Sequence, residues 1–132
     1  MDYILDTHTL LWTLFNPSKL PENIIKIISN ENNGIYYSAA SLWEIELKHV
    51  KKPQMMEKSA KEIYEIIMQF TDFVCLPVGA EEIMKLGILM DEKIHEDPYD
   101  HIIMSTALWN DMTLITHDEM ISKYRNLNII YF

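Results

Sequence analysis

The sequence predicts a three-layer α/β/α sandwich around a mostly parallel central sheet. Short apolar runs alternate with stretches of helical spacing along the 132 residues. The runs are nearly continuous in their apolarity, as expected of strands covered on both faces rather than on one. Three glycines (Gly34, Gly79, Gly87), no repeat and no low-complexity linker leave no domain boundary, so residues 1–132 read as a single domain.

Tyr3-Ile4-Leu5 is the first apolar run and predicts a buried strand. From Thr7 to Phe15, Leu10, Leu11, Leu14 and Phe15 recur at helical spacing, and Asn16-Pro17 ends the helix. Pro21-Glu22 opens a second helix with Ile24, Ile25, Ile27 and Ile28 on its inner side, closed between Asn30 and Gly34. Ile35-Tyr36-Tyr37 is the second strand. Ser41-Leu42-Trp43-Glu44 has the capping-box pattern and predicts a helix from about Ser41 to Val50. Lys58 to Phe70 predicts another, through Ile63, Ile66, Ile67 and Phe70, before the strand Phe73-Val74-Cys75-Leu76 stops at Pro77. Ala80 to Lys93 is helical by the spacing of Ile83, Leu86, Met90 and Ile94. Asp97-Pro98 starts the next helix, with Asp97 as its cap and Ile102, Ile103, Thr106, Ala107 and Leu108 facing inward. Thr113-Leu114-Ile115 is the fourth strand, Asp118 to Tyr124 a short helix, and Asn128 to Tyr131 the last strand.

Hydrophobic residues at 48% and charged residues at 23% are ordinary globular usage, which excludes a disordered or collagen-like chain. The apolar runs are too short to span a bilayer, and Met1 to Asp6 lacks the basic and apolar segments of a signal peptide. With the single Cys75 unable to form an internal disulfide, a cytoplasmic location without membrane contact is expected. The net charge of −9 argues against a protein that simply coats nucleic acid, since such coating needs a cationic surface. It is compatible with an enzyme that holds a polyanion locally and uses carboxylates to carry metal. Lys48, Lys51, Lys52, Lys58 and Lys61 form a local basic group around His49, open to reading either as a solvated helix end or as a phosphate-binding patch.

In an open α/β sheet, ligands bind beyond the carboxyl ends of the strands. Asp6 follows the first strand directly, Glu44 and Asp100 each fall in the first turn of a helix, and Asp118 follows the fourth strand by three residues. Taken singly, each acid has an ordinary use as a helix cap or first-turn residue. Taken together they map to one edge of one sheet, where carboxylates about 6 Å apart repel by roughly 3 kcal/mol per pair at an effective dielectric near 20. A cation among them removes that liability, and an oxygen-rich, thiolate-free cluster suits Mg²⁺ or Mn²⁺ rather than zinc. Such a site favours phosphodiester chemistry. No phosphate-binding loop, dinucleotide fingerprint or nucleophile elbow redirects the reading.

The stretches Leu5-Asp6-Thr7-His8-Thr9-Leu10-Leu11-Trp12, Ser38-Ala39-Ala40-Ser41-Leu42-Trp43-Glu44-Ile45, Asp97-Pro98-Tyr99-Asp100 and Ile115-Thr116-His117-Asp118 occur in that order. This set resembles the PIN-domain ribonucleases, in particular the VapC-type toxins of toxin–antitoxin pairs, over nearly the whole chain. The resemblance implies that Asp6, Glu44, Asp100 and Asp118 form an acidic quartet for Mg²⁺ or Mn²⁺. Asp6 and Asp100 would be direct ligands, Glu44 a ligand or a group orienting water, and Asp118 a ligand or a group behind one. Thr116 matches a family hydroxyl that holds a water or a carboxylate. The family cleaves single-stranded RNA, often within structured RNAs, leaving 5′-phosphate and 3′-hydroxyl ends. Its members are usually homodimers inhibited by a cognate antitoxin. One departure is His101, where many relatives carry Arg directly after the third acid.

Other residues read more plainly. Lys48 is spaced to pair with Glu44 one turn earlier. His8 and His117 neighbour the acids without being needed as ligands. Trp12, Trp43 and Trp109, and most of the nine methionines, read as core packing. Two rivals to a nuclease remain: a catalytically silent module of the same fold that binds RNA or protein, and a phosphorylated receiver domain. The second lacks its acidic pair after the first strand and its late lysine.

Overall fold

The computed structural model describes residues 1–90 and 96–132. Five strands form one sheet: β1 (Asp2–Leu5), β2 (Gly34–Ser38), β3 (Val74–Leu76), β4 (Thr113–Thr116) and β5 (Asn128–Tyr131). All neighbouring pairs are parallel, in the order β3-β2-β1-β4-β5. The sheet therefore grows outward in both directions from β1, and the order reverses between β1 and β4. Their carboxyl ends flank the crevice where such sheets place ligands. Register is set by the buried centre, with Ile4 opposite Tyr36 on one side and Leu114 on the other.

Eight helices are described: α1 (Thr7–Phe15), α2 (Glu22–Ser29), α3 (Ala39–Lys51), α4 (Ala60–Phe70), α5 (Ala80–Met84), α6 (Leu86–Met90), α7 (Pro98–Trp109) and α8 (Glu119–Ser122). Successive strand residues point to opposite faces, and β1 shows the consequence. Tyr3 and Leu5 join Leu10, Ile24, Ile45, Ile63 and Ile67 in one core cluster, on the side of α1, α2 and α4. Ile4 joins Leu114, Leu89, Ile103, Met104 and Ile121 in the other, on the side of α6, α7 and α8. Two cores on two faces make the three layers, as the apolar strand runs predict.

The structure corrects several local expectations. The helix expected from Ser41 begins at Ala39, because Ser38 at the end of β2 caps it by accepting from the Ala40 N–H at 3.0 Å. Ser41 is then buried inside the helix and accepts a hydrogen bond from the Thr7 hydroxyl at 2.9 Å, so the Ser41–Glu44 capping box does not form. The helix expected over 80–93 is broken at Lys85 into α5 and α6, next to Gly87, a poor helix former; its expected end at 91–93, and Ile94, lie outside the described residues. Trp43 and Trp109 are about half exposed rather than packed in the core. Among the methionines whose burial is described, Met104 and Met112 are buried, while Met1, Met55, Met68, Met84 and Met120 face solvent.

Candidate active site

Asp6 is held by its neighbours at three points. It caps α1, its Oδ1 accepting from the Thr9 N–H at 2.9 Å. Its backbone N–H extends the β1–β4 ladder by reaching the Ile115 carbonyl. Its Oδ2 accepts from the Thr116 hydroxyl. Thr116 in turn accepts from the Asp118 N–H at 3.0 Å, so one fully buried hydroxyl ties the end of β1 to the turn after β4. Asp118 caps α8 through Oδ1 and the Met120 N–H at 2.8 Å.

Glu44 projects from the second turn of α3, not from the first as expected, because the helix begins two residues earlier at Ala39; it is buried, and Lys48 one turn later pairs with its Oε2 at 2.9 Å, as the spacing predicts. Asp97 caps α7 as expected, accepting from the N–H groups of Tyr99 (2.9 Å) and Asp100 (3.2 Å). Asp100 thereby sits in the first turn of that helix, where the dipole favours a negative group. His101, directly after Asp100, is buried on the same helix.

Asp6, Glu44, Asp97, Asp100 and Asp118 line a single cavity of about 160 Å³, together with Thr7, His8 and Lys48. Four distant stretches of chain thus bring their acids to one place at the carboxyl edge of the sheet. Thr116 lies behind the cavity and acts on Asp6. Burial pushes the Asp6 carboxyl above its ordinary pKa, and the hydrogen bonds from Thr116 and Thr9 only partly offset that push. A nearby cation would reverse it.

Among the described residues no group of three or more histidines, cysteines, aspartates or glutamates is arranged to hold a metal ion. A hard ion such as Mg²⁺ keeps part of its water and is usually bound through one or two carboxylates rather than a full protein cage. Asp6 meets this need: each oxygen accepts one internal hydrogen bond and has capacity for a further partner.

Two hollows flank the acidic cavity; the first went unrecognised in the sequence, and the second holds Lys48, Lys51 and Lys52 of the basic group read there. On one side Asp6 and Asp118 continue into a hollow of about 290 Å³ walled by His8, Trp12 and His117. Trp12 lies 5.2 Å from the His117 ring and 6.0 Å from that of His8, centroid to centroid, and the His117 Nδ1 contacts the carbonyl of Phe132. The signal available was the placement of His8 and His117 within two residues of Asp6 and Asp118. On the other side Glu44 and Lys48 continue into a groove of about 240 Å³ lined by Lys51, Lys52 and Tyr99.

A sequence profile of the PIN domain matches residues 3–127. No functionally curated protein matches the chain by sequence. Among solved structures, the fold is similar to a chain of VapBC2 from Rickettsia felis bound to a promoter DNA fragment, with a TM-score of 0.70 at 20% identity, covering 100% of this chain and 99% of that one. It is equally similar to a chain of DNA-bound VapBC from Salmonella typhimurium, with a TM-score of 0.70 at 18% identity and coverage of 99% and 98%. A chain of FitAcB from Neisseria gonorrhoeae aligns with a TM-score of 0.63 at 16% identity, covering 96% and 95%.

Proposed function

Because the chain belongs to the PIN-domain family, we propose that it is a Mg²⁺- or Mn²⁺-dependent endoribonuclease, the toxin of a toxin–antitoxin pair, folded as a single domain and acting as a homodimer. The observation that carries the reading is the convergence of Asp6, Glu44, Asp100 and Asp118 on one cavity. The antitoxin partner is supported by the fold neighbours, which are VapBC complexes, one named a member of the VapBC family of toxin–antitoxin systems.

When bound, a divalent ion supplies neutralisation of the phosphodiester and acidifies water for attack at neutral pH. Asp6 and Asp100 are the residues to hold it, from the end of β1 and the start of α7, with Asp118 beside Asp6. Thr116 fixes the Asp6 rotamer by donating to Oδ2 while the Thr9 N–H fixes Oδ1. Glu44, paired with and oriented by Lys48, can accept a proton from an attacking water or join the ligand set. The Tyr99 and Asp100 N–H groups of α7 and the Met120 N–H of α8 are already taken by Asp97 and Asp118, which leaves nearby lysines as the chain's own groups for a phosphate.

The decisive assay is cleavage of single-stranded RNA by antitoxin-free protein as Mn²⁺ is titrated in, with Asp6→Ala and Asp100→Ala as controls. Metal-dependent cutting lost in both variants supports the assignment, and full activity in either one refutes it. The absence of a closed acid shell among the described residues is what favours the second reading, a silent RNA- or protein-binding module; binding without cleavage at any Mn²⁺ concentration would establish it.

A further inference from the structure

The groove beside Glu44 differs in character from the cavity it joins. Lys48 stands at the junction, with its charge engaged by Glu44. Beyond it, Lys51 and Lys52 sit at the last turn and cap of α3, over an apolar floor formed by Leu47 and Met55. Neither lysine takes part in an ion pair among the described residues. Two unneutralised cations at one groove, in a chain of net charge −9, are a local reversal of sign next to the acids. The far wall is Tyr99, whose ring meets Trp43 edge-on at 4.6 Å. Trp43 is 53% exposed, so one helix presents a solvent-facing indole and, two turns on, a pair of free ammonium groups.

Resting on the nuclease reading above, we propose that this groove seats the single-stranded RNA next to the scissile bond: Lys51 and Lys52 each take a backbone phosphate, and Trp43 stacks a base. Charge complementarity selects RNA over an apolar peptide, because the lysines flank the mouth and would be stranded beneath one. Continuity selects the substrate, because the same groove opens through Glu44 into the acidic cavity. A strand leaving the acids, which repel it, meets cations in the hollow that shares Glu44 and Lys48 with theirs. Aromatic stacking tolerates any base, so the groove adds affinity and registers the strand without reading its sequence.

The test is fluorescence anisotropy of a labelled oligouridylate in EDTA across a salt series, which measures binding with no cleavage. The logarithm of affinity should fall linearly with the logarithm of salt. Each phosphate contact in a single strand contributes about 0.7 to the slope, so Lys51→Ala/Lys52→Ala should flatten it by about 1.4. Trp43→Ala should weaken binding by about tenfold and leave the slope unchanged. Lys26→Ala/Lys123→Ala, on α2 and after α8, should change neither, and circular dichroism checks that every variant is folded. An unchanged slope in the Lys51/Lys52 variant overturns the proposal and leaves those lysines to a protein partner. So does an equal flattening in the control pair, which would mark a diffuse field, or the absence of wild-type binding. Wild-type cleavage in Mn²⁺ is scored separately. If it fails while the slope still falls, the groove stands and the hydrolytic reading does not; if it succeeds while the slope holds, the reverse is true.

Discussion

The two ends of the central sheet carry hollows of opposite kind. At the amino end, the starts of β2 and β3 and the ends of α2 and α4 enclose about 540 Å³, bordered by Asn30, Gly34, Tyr36, Phe73 and Val74, with Glu31 and Asp72 its two acids. At the carboxyl end a much smaller cavity of about 160 Å³ gathers five. The asymmetry has a physical source. Helices that follow a parallel strand begin at its carboxyl end, where their free N–H groups and positive dipole ends recruit carboxylates. Asp6, Asp97 and Asp118 are all caps of this kind. The force that makes each acid ordinary is therefore the one that collects them. Size does not mark the site; the direction of the chain does.

The comparison breaks most easily by mutation at each end. Asp6→Ala or Asp100→Ala is expected to abolish RNA cleavage, whereas Asp72→Ala in the larger hollow should leave the rate within about twofold, against the 10²-fold or greater losses typical of catalytic groups. Metal binding comes next in size. At a hundred times its dissociation constant, Mn²⁺ should stabilise the wild type by about 2.7 kcal/mol in thermal melts, and Asp6→Asn should remove most of that gain. Thr116→Val preserves shape but strands Asp6 Oδ2 and the Asp118 N–H. It should cost about 1–3 kcal/mol in denaturant unfolding and about tenfold or more in cleavage.

The smallest effect concerns pH in the metal-free protein. Because burial raises the Asp6 pKa, the folded protein holds that proton more tightly than the unfolded chain. Its contribution to stability is full below the ordinary value of 3.8, declines as pH rises from there to the raised value, and is level above it. Asp6→Asn should escape the decline, so the metal-free variant should gain on the wild type across that window. Melting both in EDTA from acid to neutral pH checks the sign; a wild type that gains on the variant as pH rises contradicts a desolvated carboxylate.

Much of this was legible from residue order. The strands emerge where Tyr3-Leu5, Ile35-Tyr37 and Thr113-Ile115 predict them, because a strand buried on both faces has no other composition open to it. Asp97-Pro98 starts α7 as predicted, since Pro at the first position lacks only an N–H the helix does not use. Errors cluster where a neighbour decides. Ser38, rather than Ser41, caps α3 because the end of β2 delivers it there, and Thr7 claims Ser41. Trp43 and Trp109 sit at helical spacing yet face water, since periodicity names a stripe without saying which element covers it.

Sequence alone determined the alternation of strand and helix, the aspartate caps and the acidic stretches, which depend on neighbours within a few residues, and, through four stretches in order, the likeness to a nuclease family. Only the tertiary structure decided that the acids face one cavity, that Thr116 joins Asp6 to Asp118, and that Lys51 and Lys52 border one groove with Tyr99, against which Trp43 packs. Those relations join side chains up to 110 residues apart. They exist because a parallel sheet returns every strand to the same edge, a property of its topology that no local pattern of residues carries.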